Sequence, residues 1–351
     1  MSRKLLNSRP IKMWIDGKVF NIRKFKNISS SNKCIEGDND EENKKLLEIK
    51  EENGRFCASF RLPKLYFTKM ESLPQFDISK ISEDTETEIL YPSAEDGEIS
   101  FKSDNVQQLI QAINHIHAAV AEVRERNMAM QFVCIPCLNK NVQTNFENLK
   151  QELLEMESEI LGMHESIFMC PKKLHVTIDV YSLMDDREQA EAIKALNDYK
   201  TEMEKVLEKT GPIKLGIRGL SCMNNNARKV DVLYANVKMM NETEEHNLQN
   251  IVNDISKHFF DRGLARKYQD NVKIHMTVIN TKYRRQNGTP KRKLRYKRQS
   301  IDATKILEKY KNYDFGHCNF DSLHLSHITL KGEDGFYKPI AIVNLEPNKE
   351  I

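Results

Sequence analysis

Apolar and polar residues alternate over Phe56, Ala58, Phe60 and Leu62, and Pro63 closes the run, a pattern that predicts a β-strand. Short helices are expected at 65–70 and 78–83. A second alternating stretch runs through Thr85, Thr87, Ile89 and Tyr91, and a turn at Glu95-Asp96-Gly97 leads to Ile99 and Phe101. Val106, Leu109, Ile113, Ile116, Val120 and Val123 then recur at steps of three and four, the spacing of one face of a long helix. His115 and His117 lie beside that stripe and read as flank residues with no special role. The order strand, helix, helix, strand, strand, helix describes a small α+β module over 55–127.

Two stretches precede it. Residues 9–25 form an apolar and basic island with the single tryptophan, Trp14, and an Asp16-Gly17 pair suited to a hairpin turn. The island either folds back onto a domain or docks on a partner; segment 1–27 is assigned as a docking peptide. Asn27 to Gly54 is rich in Ser, Asn, Glu, Asp and Lys and cannot bury enough apolar area to offset its ordering entropy, so 28–54 reads as a flexible linker.

The rest of the chain, 128–351, repeats itself. The strand candidate Gln131–Leu138 matches Val230–Val237. The helix stripe Leu149, Leu153, Met156, Ile160 matches Leu248, Val252, Ile255, Phe259, and Lys173-Leu174-His175-Val176-Thr177-Ile178 matches Lys273-Ile274-His275-Met276-Thr277-Val278. Two pseudo-symmetric β-α-β units follow. Read as strands, the hexads place Lys, His and Thr on one face, because alternate residues point the same way. A bare H-x-S/T carries little, since five of the ten histidines satisfy it: His164, His175, His275, His324 and His327. Only His175 and His275 sit in a duplicated frame, which lets a pseudo-twofold bring both imidazoles to one cleft. His324, on the alternating run Phe320–Ile328, reads as a sheet residue or a support for the site.

Composition changes this picture locally. No run approaches the ~18 apolar residues of a membrane span, and the start lacks the pattern of a secretory signal, so no membrane association is expected. Seven scattered cysteines argue for reduced thiols, and Cys134-Ile-Pro-Cys137, in an apolar strand-like run, reads as structural. The net charge of +3 conceals nine Lys/Arg between Lys282 and Arg298 with no acid among them, so the remainder is net acidic. Such a run implies an anionic partner at that place, and a nuclear-import signal has similar composition. Tyr283, Arg284, Lys291, Arg292 and Lys293 in it, with Lys173 and Lys273, are candidate substrate-binding residues, and Tyr283 and Tyr296 are suited to stacking on bases.

Histidine, with an unperturbed pKa of about 6.5, serves either as the base that activates water or a ribose hydroxyl or as the acid that protonates the departing oxygen. A threonine hydroxyl two residues on can donate to a phosphate oxygen, and a lysine can offset its charge. No carboxylate or Cys/His set stands in the hexads, so neither a catalytic metal nor a cofactor is expected.

On these paired H-x-T strands the chain resembles the 2H phosphoesterase superfamily. That resemblance implies catalytic roles for His175 and His275, phosphate binding by Thr177 and Thr277, and action on cyclic phosphates or phosphodiesters at RNA ends. The module at 55–127 resembles a KH domain, although the loop aligned with its GXXG clamp, Ser72-Leu73-Pro74-Gln75, holds neither glycine. The expected fold is therefore α+β, a KH-like module followed by a bilobal 2H phosphoesterase domain. The pairing of modules also resembles a family of coactivator-complex subunits. It implies a nuclear protein, partnered by RNA or other single-stranded nucleic acid and, through its N-terminal segment, by a helicase-containing complex active in transcription and alkylation-damage repair. The expected activity is a metal-independent RNA phosphodiesterase; the alternative is a catalytically silent nucleotide-binding scaffold.

Overall fold

The N-terminal island becomes a hairpin, β1 (Ile11–Ile15) and β2 (Lys18–Ile22), closed by Asp16 and Gly17, both at positive φ. The computed structural model describes residues 11–22, 45–92, 97–224, 226–244, 246–284 and 298–345. These divide into two units. The first comprises the chain to Ala129 with Tyr181–Ala192 and His258–Tyr268, and the second comprises Met130–Val180, Ile193–Lys257 and Gln269 onward.

In the first unit, β4 (Arg55–Arg61) is followed by helices α1 (Lys64–Glu71) and α2 (Ile78–Asp84), strands β5 (Glu88–Leu90) and β6 (Glu98–Ser103), and the 21-residue helix α3 (Val106–Arg126). With β3 (Lys50–Glu52) the strands form an antiparallel sheet ordered β3-β4-β6-β5. Helix α3 starts where Asn105 accepts from the backbone N–H groups of Gln107 and Gln108, an N-cap that satisfies two otherwise orphaned donors. The expected stripe Leu109, Ile113, Ile116, Val120, Val123 is buried.

Four expectations change here. The linker assignment fails at its end, because β3 pairs with β4 and Leu47 and Ile49 pack on the core. The hairpin is not a free docking peptide: Met13, Ile15, Phe20 and Ile22 are buried in the same core as α3, so that face is unavailable to a partner. The second alternating stretch shortens to β5, since Glu86 turns at positive φ and the buried Thr85 and Thr87 hydroxyls bond to the carbonyls of Ile81 and Thr85. His117 is a core residue, 2% exposed, between the rings of Phe20 and Phe60.

Gly263 fastens the hairpin. Its carbonyl accepts the Trp14 N–H at 3.1 Å and Arg124 Nη1 at 2.7 Å, its φ is +72°, and a Cβ there would lie 2.3 Å from the Trp14 nitrogen. Only glycine provides both the conformation and the space.

The second unit is built on an eight-stranded sheet ordered β12-β9-β10-β11-β8-β7-β13-β14. The repeat is visible in the element order: β7 (Gln131–Pro136), α4 (Lys140–Glu155) and β8 (His175–Tyr181), then β10 (Val232–Met239), α6 (Leu248–Asp261) and β11 (Met276–Asn280). Helix α5 (Asp186–Thr210) and β9 (Lys214–Cys222) lie between the two copies. After them come α7 (Thr304–Tyr310), β12 (Asp314–Asn319), β13 (Ser322–Lys331) and β14 (Tyr337–Asn344). The expected stripe of α6 is buried, whereas α4 ends at Glu155, so Met156 and Ile160 fall beyond it. β8 and β11 are central neighbours, flanked by β7 and β10, the first strands of their own repeats. The outer pair on the β8 side, β13 and β14, comes from the C-terminal part of the chain. Cys134 and Cys137 are buried free thiols. No helix of the described residues is long and apolar enough to cross a membrane.

Candidate active site

β8 and β11 are antiparallel and meet at one residue pair, Val176 with Met276, the middle residue of each H-x-T triplet. Both middle side chains are fully buried, while His175, Thr177, His275 and Thr277 are half-exposed. The crossing therefore falls on the local symmetry axis of the repeat. Each strand presents its histidine on one side of the crossing and its threonine on the other, and the antiparallel direction sets His175 toward Thr277 and His275 toward Thr177.

The local backbone fixes both rings in the same way. His175 Nδ1 lies 2.7 Å from the Lys173 carbonyl, and His275 Nδ1 lies 2.6 Å from the Lys273 carbonyl. A carbonyl only accepts, so Nδ1 carries the proton in each ring and Nε2 is left as the atom that gains or loses one. His175 Nε2 is 3.0 Å from Thr177 Oγ1 and accepts from that hydroxyl when the ring is neutral. The equivalent nitrogen of His275 has no such partner among the described residues.

The two rings differ in surroundings. His175 is ringed by Phe132 at 5.1 Å, Tyr337 at 5.2 Å and Phe336 at 6.3 Å, and His275 has Tyr234 at 5.3 Å. Burial pushes His175 down to about 4. The carbonyl bond opposes that shift, and the charges of His275 and Lys173 add to it. His275 is lowered by burial, with the Lys273 ammonium adding and the carbonyl bond opposing. Both imidazoles are thus neutral at pH 7 in the free protein. An anionic ligand between them is what raises the affinity of either for a proton.

Lys173 and Lys273 reach the site from outside the strands, which corrects the reading of each hexad as one strand. Lys173 ends a 3-10 turn (Pro171–Lys173), and Lys273 precedes β11. Their ammoniums lie over tyrosine rings, Lys173 over Tyr337 at 4.5 Å and Lys273 over Tyr234 at 5.1 Å. Tyr283, 41% exposed on a 3-10 turn after β11, lies close enough to Tyr337 for the two hydroxyls to influence each other, which puts it on the His175 side of the site.

Arg284 does not join them. Its guanidinium bonds to the carbonyl of Gly162, which makes it an anchor for the turn. Arg298, at the other end of the basic run, is held by Thr281 Oγ1 at 2.7 Å and by Asp231 at 3.6 Å. Lys291, Arg292, Lys293 and Tyr296 lie outside the described residues. His324 stands on β13 across from Cys134, with Ser322 and the Phe336 ring beside it. His164 caps a short turn through Ser166. Among the described residues no group of three or more His, Cys, Asp or Glu side chains could hold a metal ion.

Phe132, Tyr234, Phe336 and Tyr337 were missed by sequence reasoning. The alternating run from Tyr337 to Val343 carries the signal for a strand, but which ring faces which histidine depends on long-range register.

Comparison with known proteins places this site in context. Residues 131–345 match the family described as AKAP7 2′5′ RNA ligase-like domain. Over 281 residues the chain is 28% identical to activating signal cointegrator 1 complex subunit 1 of Mus musculus, covering 77% of this chain and 78% of that protein. Among solved structures, TT0787 of Thermus thermophilus aligns with a TM-score of 0.35 and 15% identity, covering 62% of this chain and 97% of that one.

Proposed function

Because the chain belongs to the AKAP7 2′5′ RNA ligase-like domain family, we propose that its second unit is a two-histidine phosphodiesterase acting on RNA or nucleotide phosphodiesters. The carrying observation is the crossing of β8 and β11 at Val176 and Met276, which puts two imidazoles of the same tautomer and two threonines around one point. A phosphate seated there receives the Thr177 and Thr277 hydroxyls on its non-bridging oxygens. One Nε2 takes the proton of the attacking hydroxyl or water, and the other, protonated, delivers its proton to the departing oxygen.

The relative's name supports a place as a subunit of the activating signal cointegrator 1 complex, and nuclear residence, helicase association and a role in alkylation-damage repair extend the same proposal. The KH-like module is part of it too. The β4-α1-α2-β5-β6-α3 order is what supports that likeness; because the loop at 72–75 lacks both glycines of the clamp, nucleic acid would be met by another surface of the module, or the module serves as a scaffold. A scaffold that holds a nucleotide without cleaving it has one observation in its favour, the engagement of His175 Nε2 by Thr177.

The test is a panel of end-labelled oligonucleotides carrying 2′,3′-cyclic phosphates, 2′–5′ linkages and ordinary RNA 3′ ends, each incubated with and without EDTA. Cleavage of at least one class that survives EDTA is expected. Strict dependence on a divalent ion would overturn the mechanism, and tight binding without turnover would establish the scaffold.

A further inference from the structure

We propose that Lys173 and Lys273 form two outer anion sites flanking the central phosphate, so that the protein takes a strand with phosphates on both sides of the reacting one in preference to an isolated nucleotide. This rests on the reading of the second unit as a phosphodiester site. Three observations carry it. Neither ammonium is paired with a carboxylate among the described residues, although the chain is rich in Asp and Glu. An ammonium that no carboxylate neutralises keeps its charge available to a phosphate, which lysine binds as a point charge. Each ammonium also rests on a tyrosine face, Tyr337 or Tyr234, which holds a flexible side chain at the site by cation–π attraction.

The third observation is direction. Each lysine precedes its own histidine by two residues, and β8 and β11 run antiparallel through one crossing pair. The two lysines are therefore brought in from opposite sides of that crossing. In this proposal a single phosphate between the imidazoles sits at the crossing; the lysine backbones lie outward of it, each two residues before its own histidine, and each ammonium rests on the tyrosine ring beside that histidine. One extended strand would then place its central phosphate at the crossing and a neighbouring phosphate within reach of each lysine, and the exposed Tyr283 ring gives a base a surface to stack on. A mononucleotide cyclic phosphate engages the centre and leaves both flanks empty.

The experiment measures binding of 2′-O-methyl dinucleotide, tetranucleotide and octanucleotide to the full chain across a salt series. The tetranucleotide, with one phosphate on each side of the central one, is expected to bind well above the dinucleotide. Lys173→Met and Lys273→Met should each reduce the tetranucleotide-to-dinucleotide affinity ratio by roughly fivefold at low salt and flatten the tetranucleotide salt slope by about 0.7. Lys→Arg at either position should restore most of the ratio, which a merely misfolded variant would not do. Equal affinity for dinucleotide and tetranucleotide, or Lys→Met losses that are the same for both lengths, would overturn the flanking sites and assign the lysines to the central phosphate. Failure of every oligonucleotide to bind would instead remove the phosphodiester reading on which this inference rests.

Discussion

Two histidines of this chain are pushed far below their ordinary range by the same force, with different consequences. Burial lowers His117, in the core of the first unit, to about 3, and lowers His175, in the second, to about 4. Among the described residues His117 Nε2 has no hydrogen-bond partner, and its ring lies between Phe20 and Phe60 at 4.5 and 5.1 Å. His175 has a carbonyl fixing one nitrogen, a hydroxyl on the other, an ammonium nearby and a second histidine whose charge it feels. A depressed pKa, which burial alone produces at His117, therefore does not by itself mark a site. The fixed tautomer and the charged neighbours separate a ring that can exchange protons with a ligand from one that only fills space.

The sharpest way to break the comparison is to remove each ring. His175→Ala and His275→Ala should each lower turnover by about 10²–10⁴-fold, with the double variant much less than multiplicatively worse, because residues acting in one step are not additive. His117→Leu should leave turnover within a few-fold of the parent. Comparable losses from His117→Leu and His175→Ala, in proteins of equal folded fraction, would erase the distinction.

Asp179 extends the contrast to a carboxylate. It continues the His175 strand but is buried, held by Ser256 Oγ at 2.8 Å, and burial raises it to about 6. A folded-state value above the unfolded one means that the native protein binds the extra proton, so stability falls as pH rises from about 4 to about 6 and stays low above. Asp179→Asn, whose one amide oxygen can serve Ser256 but not also the Val180 N–H that donates to the second carboxylate oxygen, should therefore be more favourable at pH 7 than at pH 4, by up to about 3 kcal/mol. Urea unfolding at the two pH values measures it, and an equal effect at both would show that the carboxylate's charge is not the cause.

His117 has the opposite sign. Its folded value lies below the unfolded one, so protonation favours the unfolded chain, and stability is lost as pH falls below about 6.5, at about 1.4 kcal/mol per pH unit down to about 3. His117→Leu should flatten the acid limb of an unfolding curve between pH 6.5 and 5, a change of about 2 kcal/mol. An unaltered limb would place the acid sensitivity elsewhere.

How much of this was legible in the sequence follows from range of interaction. The α1, α2 and α3 helices, the hairpin turn and the doubled H-x-T triplets depend on residues a few positions apart, and the hydrophobic pattern shows them. The burial of His117 does not, because the stripe it flanks is wide enough for the hairpin's Phe20 to cover its far side. The hairpin itself illustrates the same limit: its apolar face reads equally as a docking surface or as core until Gly263, about 250 residues away, is seen to accept the Trp14 N–H. The rings beside the histidines come from β7, β10, β14 and, for Phe336, the residue just before β14, and their meeting is decided by sheet order, which alternation alone leaves open.

The smallest effect offers the finest discrimination. Catalysis by two histidines requires one protonated and one neutral ring, and kcat/KM reports the free protein, in which both are lowered. The profile should therefore be bell-shaped with its optimum below pH ~6.5. Lys173 is one cause of the depression of His175, whereas the neighbouring cation acting on His275 is Lys273. Lys173→Met should thus raise the His175 limb by less than about one pH unit, an effect that shrinks with added salt, and leave the other limb in place. Lys273→Met should move the other limb and spare the first. If either variant shifts both limbs together, the two rings titrate as one coupled pair, and neither lysine is the private partner of the histidine it precedes.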